Sequence, residues 1–267
     1  MKNRLDKEMV SRGLVDSRMK AQELIAKGYV LWQNKVVKKA SHPVAPEDTI
    51  QIQANDCFRY VSRGGLKLEK ALSTFAISWK GKTVLDVGSS TGGFTDCALQ
   101  HGAQKVIAVD VGTDLMHPSL RANPQVELHE QINLKELDAS YFERADWMVA
   151  DISFLSILTL FEKVQAYQAK LDTVFLIKPQ FECGKEVAHH YKGIITNAKI
   201  HQEILNHVLG EIRAMGFAIG GLTYSPICGG DGNIEYLAYG SNQKQIAKHI
   251  PIAEIVTQAF QNLKQKK

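Results

Sequence analysis

The 267-residue chain has no run of about 18 apolar residues, so no membrane-spanning helix is expected. Its start, Met1-Lys2-Asn3-Arg4-Leu5-Asp6, lacks the basic-then-apolar order of a secretory leader. Cysteine is sparse. Cys57, Cys97, Cys183 and Cys228 form no CxxC pair, which argues against a disulfide scaffold and for reduced thiols in the cytoplasm. The nine histidines include no HExxH spacing, and His189-His190 reads as a solvated loop pair, so no metal is expected. Internal repeats and low-complexity tracts are also missing. What remains is 45% hydrophobic and 22% charged, the balance of an ordinary globular protein with room for one large domain and one small one.

The net charge is small, at +4, but the excess is unevenly placed. Residues 1–60 carry eleven Lys/Arg against seven Asp/Glu, which leaves twenty-one of each for the rest of the chain. A basic segment beside a neutral body suggests a polyanion-binding module attached to a catalytic one; a merely solvated charged surface is the plain alternative.

The chain is organised around Val84-Leu85-Asp86-Val87-Gly88-Ser89-Ser90-Thr91-Gly92-Gly93-Phe94-Thr95. Apolar residues lead into an acid and a glycine-rich turn, and Phe94, Cys97, Ala98 and Leu99 then share a helical face. Strand, turn and helix in this order open a nucleotide-binding α/β domain. Gly88, Gly92 and Gly93 let the backbone approach a ligand closely. The turn departs from GxGxxG and lacks the Gly-Lys-Ser/Thr that grips a triphosphate. Asp110 ends the next apolar run, Lys105 to Val109, about two dozen residues on, where a carboxylate meets ribose hydroxyls. Asp86 is then placed for the cationic amino end of S-adenosylmethionine. Ser90, Thr91, Phe94, Val111 and Asp151 complete the expected cofactor contacts.

In chain order, the first 26 residues predict two short helices. Leu5, Met9 and Val10 face inward from one, and Ala21, Leu24 and Ile25 from another capped by Ser17 and ended by Gly28. A hairpin follows around Gln33-Asn34-Lys35, then a strand at Thr49 to Ile52. Phe58-Arg59-Tyr60-Val61 is a connector bulky enough to dock. A helix with Leu68, Ala71 and Leu72 on its apolar stripe carries Lys67 on the other side. Strands are expected at Val84–Val87, Lys105–Val109, Val126–Leu128, Trp147–Ala150 and Val174–Ile177. A helix spans about Ala198 to Met215, Phe217–Tyr224 and Ile234–Tyr239 close the sheet as an antiparallel pair, and the tail from Pro251 has helical spacing. This rhythm is that of an α/β doubly wound sheet, with ligands at the strand C-ends.

Strand C-ends therefore supply the catalytic candidates: Asp151 after the fourth strand, Lys178 after the fifth, and Glu235 early in the last. Lys67 can reach the same rim. On such a pocket a neighbouring cation and partial burial lower a lysine pKa while the carboxylates oppose this and fix orientation, and a lysine made partly neutral can deprotonate a hydroxyl that attacks a sulfonium methyl. A structural ion-pair cluster is the alternative. Asp151-Ile152-Ser153-Phe154 lacks the Asp/Asn-Pro-Pro-aromatic pattern of amine methylation. Cys183 and Cys228 sit in no Pro-Cys motif of the kind used in base-carbon methylation.

Two resemblances sharpen this reading. Arg4-Leu5-Asp6, Gly13-Leu14, Ser17-Arg18, Ala21, Leu24-Ile25, Gly28, Val30 and Asp48-Thr49-Ile50 resemble the S-four type of RNA-binding module, typified by a small-subunit ribosomal protein. By position, this implies phosphate contacts from Arg4, Arg12, Arg18, Lys20 and Lys27, with Asn34-Lys35 in place of the module's usual Asn-Gly turn. Ser62 to Leu68, Asp86 to Thr95, Ala150 to Phe154, Lys178 to Glu182, Ser225-Pro226 and Gly232 to Tyr236 are similar to the TlyA/hemolysin A family. These are ribosomal RNA cytidine 2′-O-methyltransferases with an FtsJ-like catalytic domain. The resemblance implies a Rossmann-like class I methyltransferase sheet with a small N-terminal α+β RNA-binding domain. It also implies a Lys67–Asp151–Lys178–Glu235 tetrad with Lys178 closest to the role of base, S-adenosylmethionine as cofactor, and ribosomal RNA or a ribosomal subunit as partner. The expected domains are residues 1–57 and 62–267, with 58–61 as linker. One segment departs from the family: Thr113-Asp114-Leu115-Met116-His117 stands where a Gln-Leu segment is usual. An RNA-binding assembly factor with an inactive methyltransferase domain and a membrane-active hemolysin are the competing readings.

Overall fold

The structure is a computed structural model that describes residues 2–15, 17–26, 28–52, 59–246 and 248–263. The chain divides into two compact units, Met1–Arg59 and Tyr60–Lys267. Cys57, Phe58 and Lys27 lie outside the described residues.

The smaller unit packs helices Leu5–Ser11 and Arg18–Ala26 against short strands. Leu5, Met9, Ala21, Leu24 and Ile25 are all buried in its core, with Val10 packed at the edge. Ser17 caps the second helix by accepting from Lys20 N. The hairpin pairs Leu31 with Val36 and Trp32 with Lys35, so its turn is Gln33-Asn34. This is one residue earlier than the expected Asn34-Lys35. Both turn residues have positive φ (48° and 63°), the twist a two-residue hairpin needs, and Asn tolerates it best. Beneath the helices, buried Asp6 accepts hydrogen bonds from Arg4 Nε and Nη2, Arg18 Nη2 and Gln22 Nε2 at 2.8–3.1 Å. The Arg4 guanidinium above all holds its carboxyl well below the usual carboxylate range.

The larger unit is built on a seven-stranded sheet. Its strands are β1 (Thr83–Val87), β2 (Lys105–Val109), β3 (Val126–His129), β4 (Trp147–Ala150), β5 (Asp172–Ile177), β6 (Ala218–Tyr224) and β7 (Tyr236–Ser241). In space they run β6-β7-β5-β4-β1-β2-β3. Five are parallel, and β7 pairs antiparallel with both β5 and β6. The longer helices are α1 (Gly64–Phe75), α2 (Gly93–Gln100), α3 (Leu158–Ala166), α4 (Ala198–Ala214) and α5 (Ile252–Asn262). Alternate strand residues feed two cores. Val84, Val106 and Val149 meet α1 and α2, whereas Leu85, Ile107 and Met148 belong with the side chains of α3, α4 and α5.

Several details differ from the sequence expectation. The fifth strand starts at Asp172, and the last starts one residue after Glu235. His189 and His190 end a short helix, Gly184–His190, although both are exposed as expected. Tyr60 and Val61 dock onto the larger unit: Tyr60 is buried, and Val61 N donates to Asp96 Oδ2 at 2.7 Å. The apolar face of α5 packs on the sheet through Val256 and Ala259, with Ile252, Ile255 and Phe260 alongside. No helix of the described residues is long and apolar enough to cross a membrane.

The N-termini of α1 and α2 cross at glycines. A Cβ on Gly93 would stand 2.3 Å from Ser62 Oγ and 2.9 Å from Gly65 N. Gly210, inside α4, has nothing within 4 Å of its Cβ position. Gly93→Val is therefore expected to overpack the crossing by about 1–3 kcal/mol, lowering the melting temperature by roughly 5 °C. Gly210→Ala should raise it by about 2 °C; differential scanning fluorimetry of both variants checks the pair. In the smaller unit, Asp6→Asn should cost roughly 1–3 kcal/mol, read as faster amide exchange at Leu24 and Ile25 in the full chain. Because the folded carboxyl titrates below its unfolded value, this contribution is complete above about pH 4. It fades as pH falls through the depressed value, and the Asn variant should lack that acid-side loss.

Candidate active site

The parallel strands reverse their order of succession between β1 and β4, and this leaves a crevice at their C-ends. Val87 lies in register with Ala150, so Gly88 and Asp151 leave the sheet side by side. The approach is close enough to require glycine. Gly88 has φ +82°, and a Cβ there would stand 2.8 Å from Asp151 O. The turn is fastened to the next strand by Gly88 N and Ser89 N, which both donate to Val109 O. Asp110, just beyond β2, accepts from Ser90 N and Gly112 N, each at 2.7 Å.

Two clefts meet over this turn. One, of about 330 Å³, is bordered by Asp110, Val111 and Leu115 on one side and by Ile132, Leu134 and Leu137 on the other. It combines a carboxylate with apolar walls, as a ribose and a flat heterocycle require. The other, of about 290 Å³, is bordered by Ser90, Thr91, Gly93, Phe94, Lys67 and Lys178. Gly88, Ser90, Asp151 and Ser153 border both. Two candidates sit differently from expectation. Asp86 borders neither cleft; its Oδ2 accepts from Thr95 Oγ1 at 2.6 Å, and burial pushes its carboxyl up to about 7. Gly92 backs onto Met116 and Leu120, where a Cβ would fall 2.6 and 2.3 Å from side-chain atoms.

S-adenosylmethionine fits this site on the chemistry of the groups present. Asp110 would take the ribose, the apolar cleft the adenine, and the Gly88–Phe94 turn the amino-acid end. Beneath the turn, buried Asp86 Oδ1 and Ser89 Oγ have no hydrogen-bond partner within the described residues.

The four ionic candidates come together at the rim. Lys178 Nζ lies 2.6 Å from Asp151 Oδ1, and Lys67 Nζ lies 3.3 Å from Asp151 Oδ2 and 2.7 Å from Glu235 Oε2. Strand topology explains the placing of Glu235. Because β7 runs antiparallel to β5, with Ile177 opposite Tyr236, the residue before β7 stands beside the residue after β5. Burial disfavours charge on Lys67, but Asp151 and Glu235 outweigh it and raise its pKa. Burial likewise opposes ionisation of Asp151, and the two lysines reverse the effect and hold it below the usual carboxylate range. Asp151 is thus a fixed anion shared by two lysine amines, and Lys67 a fixed cation.

Sequence reasoning missed the latch between the loops after β4 and β5. Glu182 Oε2 accepts from Ser156 Oγ at 2.6 Å, and its Oε1 accepts from Ile157 N at 2.8 Å at the start of α3. Ser153 Oγ accepts from Lys178 Nζ at 2.7 Å. Arg63, Ile227 and Cys228 also border the second cleft. Glu182 lies in the Lys178-to-Glu182 stretch that carries the family resemblance, which was a signal for it; nothing in the sequence marks Ile227.

In the smaller unit the candidate cations are engaged internally. Arg4 and Arg18 pair with Asp6, with side chains 45% and 52% exposed. Arg12 is a staple: its guanidinium bonds Glu8 Oε1 and the carbonyls of Asp48 and Ala45. Lys20 is partly exposed on the second helix, and Lys27 lies outside the described residues.

Comparison with known proteins agrees with this geometry. A family model for S4 domains matches residues 3–50, and one for FtsJ-like methyltransferases matches residues 60–242. A Bacillus subtilis protein, provisionally named the rRNA methyltransferase YqxC, is 38% identical over 100% of this chain and 97% of its own. The 16S/23S rRNA (cytidine-2′-O)-methyltransferase TlyA of Mycobacterium tuberculosis is 35% identical over 88% of each. A solved structure of a hemolysin-named protein from Streptococcus thermophilus superposes with a TM-score of 0.73 at 34% identity, covering 98% of this chain and 96% of that one. With the fold, the glycine turn and these matches in agreement, the chain belongs to the FtsJ-like methyltransferase family and carries an S4 domain ahead of its catalytic unit.

Proposed function

We propose that this enzyme methylates the ribose 2′-hydroxyl of a cytidine in ribosomal RNA, with Lys178 as the general base. The observation that carries the reading is the placement of the Lys178 amine, 2.6 Å from Asp151, in the cleft that the glycine turn also borders. The name of the Mycobacterium tuberculosis relative supports the substrate class. The S4 match supports an RNA partner. A ribosomal substrate places the work in the cytoplasm.

Bound at the turn, S-adenosylmethionine supplies an electrophilic methyl group on a cationic sulfur. The chain's residues do the rest. Lys178, as the neutral amine, takes the hydroxyl proton while the oxygen attacks. The ammonium that results is held by Asp151, so the proton moves toward a waiting counter-charge. Lys67 keeps the other Asp151 oxygen occupied, and Glu235 keeps Lys67 in place. The tetrad carries two charges of each sign when both lysines are protonated, so releasing one proton to the solvent resets it. A cytidine stacked in folded RNA has to be turned out to reach this rim. The Asp151-to-Phe154 loop contains no proline pair for an exocyclic amine, which favours the sugar oxygen as acceptor.

Lys178→Ala should cut the methylation rate of ribosomal subunits lacking the modification by about 10²–10⁴-fold. S-adenosylmethionine affinity in calorimetry should stay within about threefold. Retained activity rejects the base assignment, and loss of cofactor binding in the wild type rejects the enzyme reading. Arg18→Ala should weaken RNA binding and flatten the slope of log K against log salt by about 1; an unchanged slope removes Arg18 from the phosphate contacts.

A further inference from the structure

We propose that Ser153 is a positioning residue for Lys178, aiming the amine's lone pair into the cleft. The proposal rests on the reading of Lys178 as the base.

Lys178 Nζ has two polar neighbours among the described residues: Asp151 Oδ1 at 2.6 Å and Ser153 Oγ at 2.7 Å. Ser153 Oγ accepts a hydrogen bond from the amine, whereas Asp151 Oδ1 draws it by charge and makes no hydrogen bond as arranged. A neutral amine keeps two N–H bonds and one lone pair in a roughly tetrahedral array. With one N–H fixed on Ser153 and the other drawn toward Asp151, the lone pair takes the remaining direction. Asp151 alone leaves the amine able to turn about its Cε–Nζ bond, so that a hydrogen can face the incoming hydroxyl in place of the lone pair. The directional bond to Ser153 removes that freedom. The same relation holds where a carboxylate fixes the orientation of a catalytic imidazole.

The position of Ser153 is built into the fold. Its loop is tied at the far end by Glu182, which holds Ser156 Oγ and Ile157 N, and Glu182 follows Lys178 by one helical turn on the neighbouring loop. The serine and the lysine are therefore carried on two loops bound to one another. Ser153 also borders both clefts, which places its hydroxyl at their junction, while Lys178 is only 7% exposed.

The other groups around the amine are charged. Asp151 faces it directly from the loop after β4. Lys67 lies across Asp151 from α1, Glu235 stands behind Lys67, and Glu182 sits on the short helix that follows Lys178. Ser153 is the uncharged member, and removing it leaves the amine unaimed without changing the charge of the site.

The test is single-turnover methyl transfer to ribosomal subunits lacking the modification, across pH, with full-length Ser153→Ala and Ser153→Thr. Ser153→Ala should lower the plateau rate about 10-fold or more. S-adenosylmethionine affinity by calorimetry should not change, and Ser153→Thr, which keeps the hydroxyl, should restore the rate. A wild-type rate in Ser153→Ala overturns the proposal. A slowed rate with no rescue by Thr also overturns it, because general loop damage would do that. Lys178→Ala in the same assay separates the two readings: if it stays active the base assignment fails, and if it is inactive while Ser153→Ala is normal, only the positioning role fails.

Discussion

One carboxylate shared between two lysine side chains organises the catalytic unit. Asp151 cannot be buried as an anion at the end of a central strand without compensation, because the desolvation cost of an unpaired charge is several kcal/mol. Lys178 on one oxygen and Lys67 on the other supply it. Lys67 in turn needs Glu235, and each of these residues comes from a different element. The quartet is thus a constraint on the fold: α1, the ends of β4 and β5, and the start of β7 must converge for the charges to balance. On the proposed reading the same constraint serves the chemistry, since an amine that takes a proton from the hydroxyl faces an anion already placed to hold the resulting cation.

Convergence of that kind needs close backbone approach, and the glycines provide it where a side chain would collide. Gly88 brings the cofactor turn against Asp151, and Gly93 brings α2 against the start of α1, which carries Lys67. The smaller unit follows the same logic on a smaller scale. Buried Asp6 gathers Arg4, Arg18 and Gln22, so two surface arginines are ordered by an internal acid while remaining about half exposed.

Much of this was legible in the sequence, because it depends on period and punctuation. The strand–turn–helix around Gly88, the acid at Asp110 and the alternation of strands and helices are local patterns, and each appears where expected. Asp151 and Lys178 were legible because strand C-ends collect in one crevice. Glu235 was a candidate for its place near a strand start, but its reason is topological: only the reversal of β7 brings a residue at the start of a strand to the C-terminal rim. Asp86 shows the limit of a motif. The acid is where the pattern puts it, yet alternation along β1 directs it toward α2 and Thr95. The Ser153 contact and the Glu182 latch depend on loop conformation, including Phe154 at φ +67°, and no periodicity encodes that. The hairpin turn slipped by one residue for a similar reason, since strand register decides which two residues must adopt positive φ.

The central claim is that Lys178, and not its neighbour Lys67, faces the hydroxyl that is methylated. The most direct measurement is a structure of the full chain with a demethylated cofactor product and an RNA fragment whose target nucleotide is turned out. The account predicts the 2′-oxygen within about 3 Å of Lys178 Nζ. A 2′-oxygen held against Lys67, or separated from Lys178 by protein, would contradict it.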